Sequence, residues 1–308
     1  MVMSMKAVLA AGLLMALGPM AAQAQYEFMQ ISYPGQAETQ VFGINDSGDA
    51  VGTGFNPSEF PFVYASMDGT LTDIAPAADY ASTSLIGIND AGVIVGDVLG
   101  LDLATTSAFI RSKDGTYTVF SHPDAVSLTS ARGVNNRGMV TGFRDAADGT
   151  FVGFIYNSRK GTFTDFLPSA LTVAHGINSK GDAVGDARFE VDPCGGPDPF
   201  VRYGWVRRAK DGSITFFQIN GQPTVPRGIS DSGTIVGRTS DPSTLDQKGF
   251  VIAVPETSCE SVAVEASEFL QFPGSSFTNP EGVTNSGDIV GIFQNGSGNF
   301  QGFIATPQ

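Results

Sequence analysis

The stretch Gly87-Ile88-Asn89-Asp90-Ala91-Gly92-Val93-Ile94-Val95-Gly96 decides the fold. Asn89 and Asp90 can bond their own backbone, and Gly92 can take positive φ, which together make a hairpin turn between two short apolar strands. Read outward, the spacing Gly-(Ile/Val)-x-x-x-Gly-x-x-x-Gly occurs six times. The first glycines are Gly43, Gly87, Gly133, Gly176, Gly228 and Gly282, and the last are Gly52, Gly96, Gly142, Gly185, Gly237 and Gly291. Copies starting roughly 43 to 54 residues apart are the signature of a repeat architecture with one supersecondary unit per copy.

Each copy continues with an aromatic-aliphatic pair: Phe62-Val63, Phe109-Ile110, Phe154-Ile155, Trp205-Val206, Phe250-Val251 and Phe303-Ile304. A second short segment follows, as in residues 71–74, 117–120, 163–166, 214–217 and 269–272, and these alternate with the period of two expected of half-buried strands. Between them stand the turn pairs Asp68-Gly69, Asp114-Gly115, Lys160-Gly161 and Asp211-Gly212. Four strands per copy and six copies predict an all-β, six-bladed β-propeller with both sets of tight turns on one face of the disc.

The sixth copy ends at Gln308 with no outer strand of its own, whereas the segment 26–31 near the other end of the chain belongs to no copy. The N-terminal strand is therefore expected to complete the last blade and close the ring, removing the exposed sheet ends that an open array must cap.

The Gly-Ile-Asn-x-x-Gly-x-x-Val-Gly cores, followed by Ala108-Phe109-Ile110 or a Gly-Phe-Ile triplet, resemble the bacterial extracellular HAF repeat over residues 25–308. The His-Ala-Phe triplet that names that family is here Ser107-Ala108-Phe109, Val152-Gly153-Phe154 and Tyr203-Gly204-Trp205. The resemblance implies a secreted repeat protein and carries no established activity with it.

Lys6, the apolar run from Ala7 to Met20 and the small-residue pattern Ala22-Gln23-Ala24 read as a signal peptide over residues 1–24, cleaved after Ala24. The remainder, residues 25–308, is expected to be a single domain in the periplasm or outside the cell, with no membrane insertion. A net charge of −14 repels nucleic acid, which is not expected as a partner.

Loops after the second and fourth strands of each blade leave on the face opposite the tight turns, and function concentrates on such loops. The residue before each repeat's first glycine is expected near the channel mouth on that face: Phe42, Ile86, Arg132, His175, Arg227 and Glu281. Just past the last glycines come Arg144, Arg188 and Arg238. Arg132, His175, Arg227, Glu281, Arg144, Arg188 and Arg238 thus form a candidate ligand-binding set for a carboxylate, phosphate or sulfated sugar, since guanidinium groups grip planar oxyanions bidentately. The alternative is that the arginines pair with nearby acids such as Asp145, Asp148 and Glu190 as ordinary surface ion pairs.

His175, between Arg132 and Arg227 in repeat order, is the one candidate general base, its neutral form favoured by those charges. His122, ahead of Pro123, reads as structural. No nucleophile elbow occurs, metal ligands are sparse, and the Asn-Asp-x-Gly turns lack the downstream glutamate of a calcium loop, so no metal or cofactor is expected. Cys194 lies in the insertion 186–203 of the fourth blade and Cys259 in the insertion 255–267 of the fifth. An oxidising compartment permits a bridge without requiring one; strand counting puts the two insertions on opposite faces, so they would have to meet over the rim. Three functions stay open on the sequence: a binding module for a protein or saccharide partner, a hydrolase or lyase on an acidic sugar or small acid with His175 as base, and a structural surface protein without a ligand site.

Overall fold

The computed structural model describes residues 26–55, 58–166, 171–196, 200–240, 246–265 and 268–308. The leader expected over residues 1–24 lies outside them. Chain order opens with β1 (Tyr26–Ile31), and blade one follows as β2 (Glu38–Ile44), β3 (Ala50–Phe55), β4 (Glu59–Ala65) and β5 (Thr70–Asp73). Blade two is β6 (Tyr80–Ile88), β7 (Ile94–Gly100), β8 (Thr106–Arg111) and β9 (Tyr117–Phe120). Blade three is β10 (Thr129–Val134), β11 (Met139–Asp145), β12 (Phe151–Asn157) and β13 (Thr162–Phe166). Blade four is β14 (Leu171–Ile177), β15 (Ala183–Arg188), β16 (Arg202–Arg207) and β17 (Ile214–Ile219). Blade five holds β18 (Thr224–Ile229), β19 (Thr234–Ser240) and β20 (Gln247–Ala253), followed by a short β21 (Glu260–Val262). Blade six is β22 (Thr278–Val283), β23 (Ile289–Gln294) and β24 (Phe300–Pro307), and β1 lies antiparallel on its outer edge, Tyr26 opposite Pro307 and Ile31 opposite Gly302. The chain is an all-β six-bladed propeller, closed by its N-terminal strand.

Three features of the repeat build this ring. The last glycine of each copy sits opposite the aromatic of the third strand: Gly52 with Phe62, Gly96 with Phe109, Gly142 with Phe154, Gly185 with Trp205, Gly237 with Phe250 and Gly291 with Phe303. Each of those six rings is fully buried, a burial worth about 1.5–3 kcal/mol apiece. A Cβ on Gly96 would stand 1.9 Å from the Ser84 carbonyl oxygen and 3.1 Å from the Phe109 ring, so the glycine is a steric requirement of the blade.

The first glycines pack against one another across blades. A Cβ on Gly43 would meet Gly87 Cα at 3.0 Å, one on Gly87 would meet Gly133 Cα at 3.2 Å, and one on Gly176 would meet Gly228 Cα at 3.1 Å. Gly228 faces Gly282 at 3.1 Å, and Gly282 closes the circle onto Ile44. The innermost strands approach too closely for side chains.

The hairpin turns also tie neighbouring blades together. Asn45 Nδ2 donates to the Asn89 carbonyl (3.3 Å), Asn89 to Asn135 (3.1 Å), Asn135 to Asn178 (2.9 Å) and Asn178 to Ser230 (3.2 Å). One residue on, the Asp46 amide donates to Asp90, Asp231 to Asn285, and Asn285 back to Asp46 (2.7 Å), which closes the ring. At the outer ends, buried threonines of the first strands receive amides from the preceding blade: Tyr33 to Thr39, Ala77 to Thr83, His122 to Thr129, Ile219 to Thr224 and Phe272 to Thr278, all at 2.8–3.0 Å.

Blades four and five depart from the pattern. Among the described residues the segment 269–272, expected as the outer strand of blade five, pairs its backbone with β20 through Leu270, whose amide and carbonyl exchange bonds with Gly249. The insertion between them instead swings to blade four, where β21 pairs parallel with β17 and Ser258 and Cys259 bond to Phe216. There Cys259 is joined to Cys194, with Cα atoms 5.5 Å apart. The insertions do meet over the rim, and the bridge left open by the sequence is formed.

Candidate functional site

Each inner hairpin carries a β-bulge at one place. The register between first and second strands shifts across Val41/Gly43, Leu85/Gly87, Ala131/Gly133, Ala174/Ile177, Pro226/Gly228 and Pro280/Gly282. The extra residue in five of these is the one ahead of the glycine, and in blade four the bulge spans His175 and Gly176. A bulge re-aims its side chain, and here all six, Phe42, Ile86, Arg132, His175, Arg227 and Glu281, line one cavity of about 340 Å³ at the mouth of the channel on the loop face. Below them Ile44, Ile88, Val134, Ile177, Ile229 and Val283 form an apolar waist that separates this cavity from a vestibule of about 70 Å³ on the turn face.

The cavity has two walls. Blades three to five contribute Arg132, His175, Arg227 and Arg238, with Glu281 and Asn279 of blade six at their edge; Phe42, Ile86, Ile292, Phe277 and Phe300, with Gln40 among them, form the remaining arc, across the axis. His175 is buried and bonded at both ring nitrogens. Its Nε2 lies 2.8 Å from Asp186 Oδ1, and Arg227 Nη1 lies 3.2 Å from its Nδ1. Because a guanidinium can only donate, Nδ1 is the acceptor and Nε2 carries the proton, which assigns the tautomer from the network. Burial, then the charge of Arg227, pulls the imidazole down to about 3. Burial opposes ionisation of Asp186 as well, but the His175 bond and the charges of Arg202 and Arg227 hold that carboxyl below its usual range; Arg202 Nε stands 3.2 Å from its second oxygen.

Arg227 also reaches Glu281, Nε to Oε2 at 3.5 Å. Arg132 and Arg238 are less occupied. Arg132 Nε is buried without a hydrogen-bond partner, and its guanidinium lies 5.2 Å over the Phe143 ring. Asp97, the nearest acid by charge, directs its oxygens to Ser130 Oγ (2.9 Å) and the Ala131 amide (3.0 Å). Among the described residues no carboxylate lies within ion-pair distance of Arg238. Burial and then the neighbouring Arg227 lower its guanidinium to about 10. Two cations with unspent donors therefore line one cavity of about 340 Å³, an arrangement that costs desolvation unless an anion or water completes it.

The other two sequence candidates are elsewhere. Arg144 sits two residues past its glycine, on the opposite face of β11 by strand alternation, and grips the Asp165 carboxylate at 2.9 Å rather than those of Asp145 or Asp148. Arg188 ends β15 opposite Arg202 and lines no part of the cavity. His122 is buried, its Nδ1 accepting the Asp124 amide and its Nε2 3.1 Å from Asp165. His122, Asp124 and Asp165 could each offer one atom to a metal, but Arg144 already takes the Asp165 carboxylate and the Asp124 amide already takes His122 Nδ1, so two of the three have partners within the protein. The carboxylates behind the cationic wall were missed as partners. Their signal is the residue directly after the last glycine, Asp97 in blade two and Asp186 in blade four, the position that supplies Arg238 in blade five.

These features define a propeller with a one-sided, two-walled channel mouth. No protein-family model matches the chain, and no curated protein does. Among solved structures, it is similar to a catalytically inactive variant of virginiamycin B lyase from Staphylococcus aureus with quinupristin: TM-score 0.50 and 12% identity over 92% of this chain and 99% of that one. A candidate gluconolactonase is similar with TM-score 0.50 and 13% identity over 94% and 95% of the two chains. At such identities the likeness is one of fold.

Proposed function

We propose that this protein is a binding module that takes a small anionic ligand at the loop-face mouth of its channel, outside the cytoplasm. The observation that carries this reading is the pair of unspent guanidiniums, Arg132 and Arg238, facing the same cavity as Arg227. Guanidinium groups in a recess of low dielectric bind oxyanions far more strongly than they do on a surface. The Cys194–Cys259 bridge supports an oxidising compartment, as do the leader read over residues 1–24 and the resemblance to the extracellular HAF repeat.

The hydrolase or lyase reading is less well supported. His175 offers no free lone pair, since Nδ1 already accepts from Arg227, and an imidazole at about 3 is a weak base at neutral pH. His175 serves better as a strut that aims Arg227 from Asp186. The test is thermal unfolding of the intact chain with small carboxylates, phosphate or sulfate against chloride at constant ionic strength. Binding at a hundredfold excess over Kd stabilises by about 2.7 kcal/mol. Arg132→Gln and Arg238→Gln should abolish the shift while leaving the unliganded melting temperature nearly unchanged or raised. No shift with any anion would sink the reading.

A further inference from the structure

The cationic wall accounts for only half of the cavity. Opposite it, Phe42, Ile86, Phe277 and Phe300 line the mouth cavity and are each only partly covered, so apolar surface is presented to the space where a ligand would sit. Phe277 and Phe300 brace each other edge-on, with centroids 5.3 Å apart. Exposed aromatic surface inside a recess is stabilised when an apolar group displaces its water. A phosphate would leave that apolar surface wet, and a sugar acid with hydroxyls on every side would find only Gln40 and Asn279 to meet them there.

The charges set a second condition. Arg132, Arg202, Arg227 and Arg238 stand against Asp97, Asp186 and Glu281, an excess of at least one positive charge, since burial raises the Asp97 carboxyl toward its neutral form. One negative charge is matched by that excess; a second anionic group on the same ligand would lie against the apolar arc, where no cation faces it. At about 340 Å³ the space is at the small end of ligand pockets.

From these two walls we infer that the ligand is a small monocarboxylate with an aromatic or branched aliphatic body. Its carboxylate lies on Arg132 and Arg238, and its body rests on Phe42, Ile86, Phe277 and Phe300. This rests on the anion-binding reading above and narrows it.

Calorimetric titration of the intact chain with four probes separates the two claims: phenylacetate, phenylacetamide, glucuronate and inorganic phosphate. Phenylacetate should bind at least tenfold more tightly than its neutral amide, and at least tenfold more tightly than glucuronate or phosphate. Phe300→Ala should weaken phenylacetate about tenfold and leave glucuronate unchanged. Phe300→Leu, which keeps an apolar side chain, should recover most of the loss and guards against a folding defect. If glucuronate or phosphate binds as well as phenylacetate, the amphiphilic ligand is overturned and the anion site stands. If the amide binds as well as the acid, or nothing binds, both are overturned.

Discussion

At the scale of the residue, the last glycine of each repeat is held by contact rather than by conformational freedom. Gly96→Ala places a methyl group 1.9 Å from a backbone oxygen, and denaturant titration should show a loss above about 4 kcal/mol or no folded protein. Gly69, at φ +72 with open space around its Cβ position, tests the other case: Gly69→Ala pays only for left-handed backbone, about 1–2 kcal/mol. His175 makes a prediction about pH. Its folded pKa of about 3 lies below the ordinary imidazole value of 6.5, so the unfolded chain binds more protons between these values and stability falls as pH drops through that window. Asp186, lowered as well, continues the loss in the same direction below the carboxylate range. Unfolding free energies at pH 7 and pH 4 should therefore differ by a few kcal/mol, and His175→Asn should flatten much of the slope. Some slope should remain from His122, which burial also lowers.

At the scale of the element, blades four and five share their outer edges unequally. The disulfide closes a loop with a sequence separation of 65, which the chain-entropy model values at about 4 kcal/mol; reduction should lower the denaturation midpoint accordingly without changing the far-ultraviolet spectrum. In blade five the outward side of β20 beyond Gly249 meets no strand among the described residues. Hydrogen exchange should be faster at the Val251 amide than at Ile155, its counterpart in blade three, which is paired on that side by β13. Equal protection would show that blade five is held by something other than its ladder. This irregularity was not legible beforehand, because 269–272 carries the same apolar alternation as the true outer strands. In the structure the chain ahead of it is taken up by the edge of blade four through β21, and Phe272 packs on Phe28 and Phe293 of blade six, contacts between segments far apart in the chain.

At the scale of the whole molecule, closure depends on six residues at one end pairing with six at the other. A chain beginning at Ser32 would expose the edge of β24, and sedimentation should then show self-association through that edge; a monomeric, equally stable product would mean the ring is held by the turn and threonine clasps alone. The sequence by itself determined the architecture: six copies of one spacing, a missing outer strand at one end and a spare one at the other leave a closed ring as the consistent solution. It also placed the six mouth residues, because in a repeat the same position lands at the same radius in every blade. Only the tertiary structure decided what those side chains do. Whether Arg132 and Arg238 are spent on Asp97 or face open space, whether His175 has a free nitrogen, and whether Cys194 reaches Cys259 all turn on distances of a few ångströms between different blades. Such distances are set by packing across the channel and over the rim, and no periodicity along the chain encodes them.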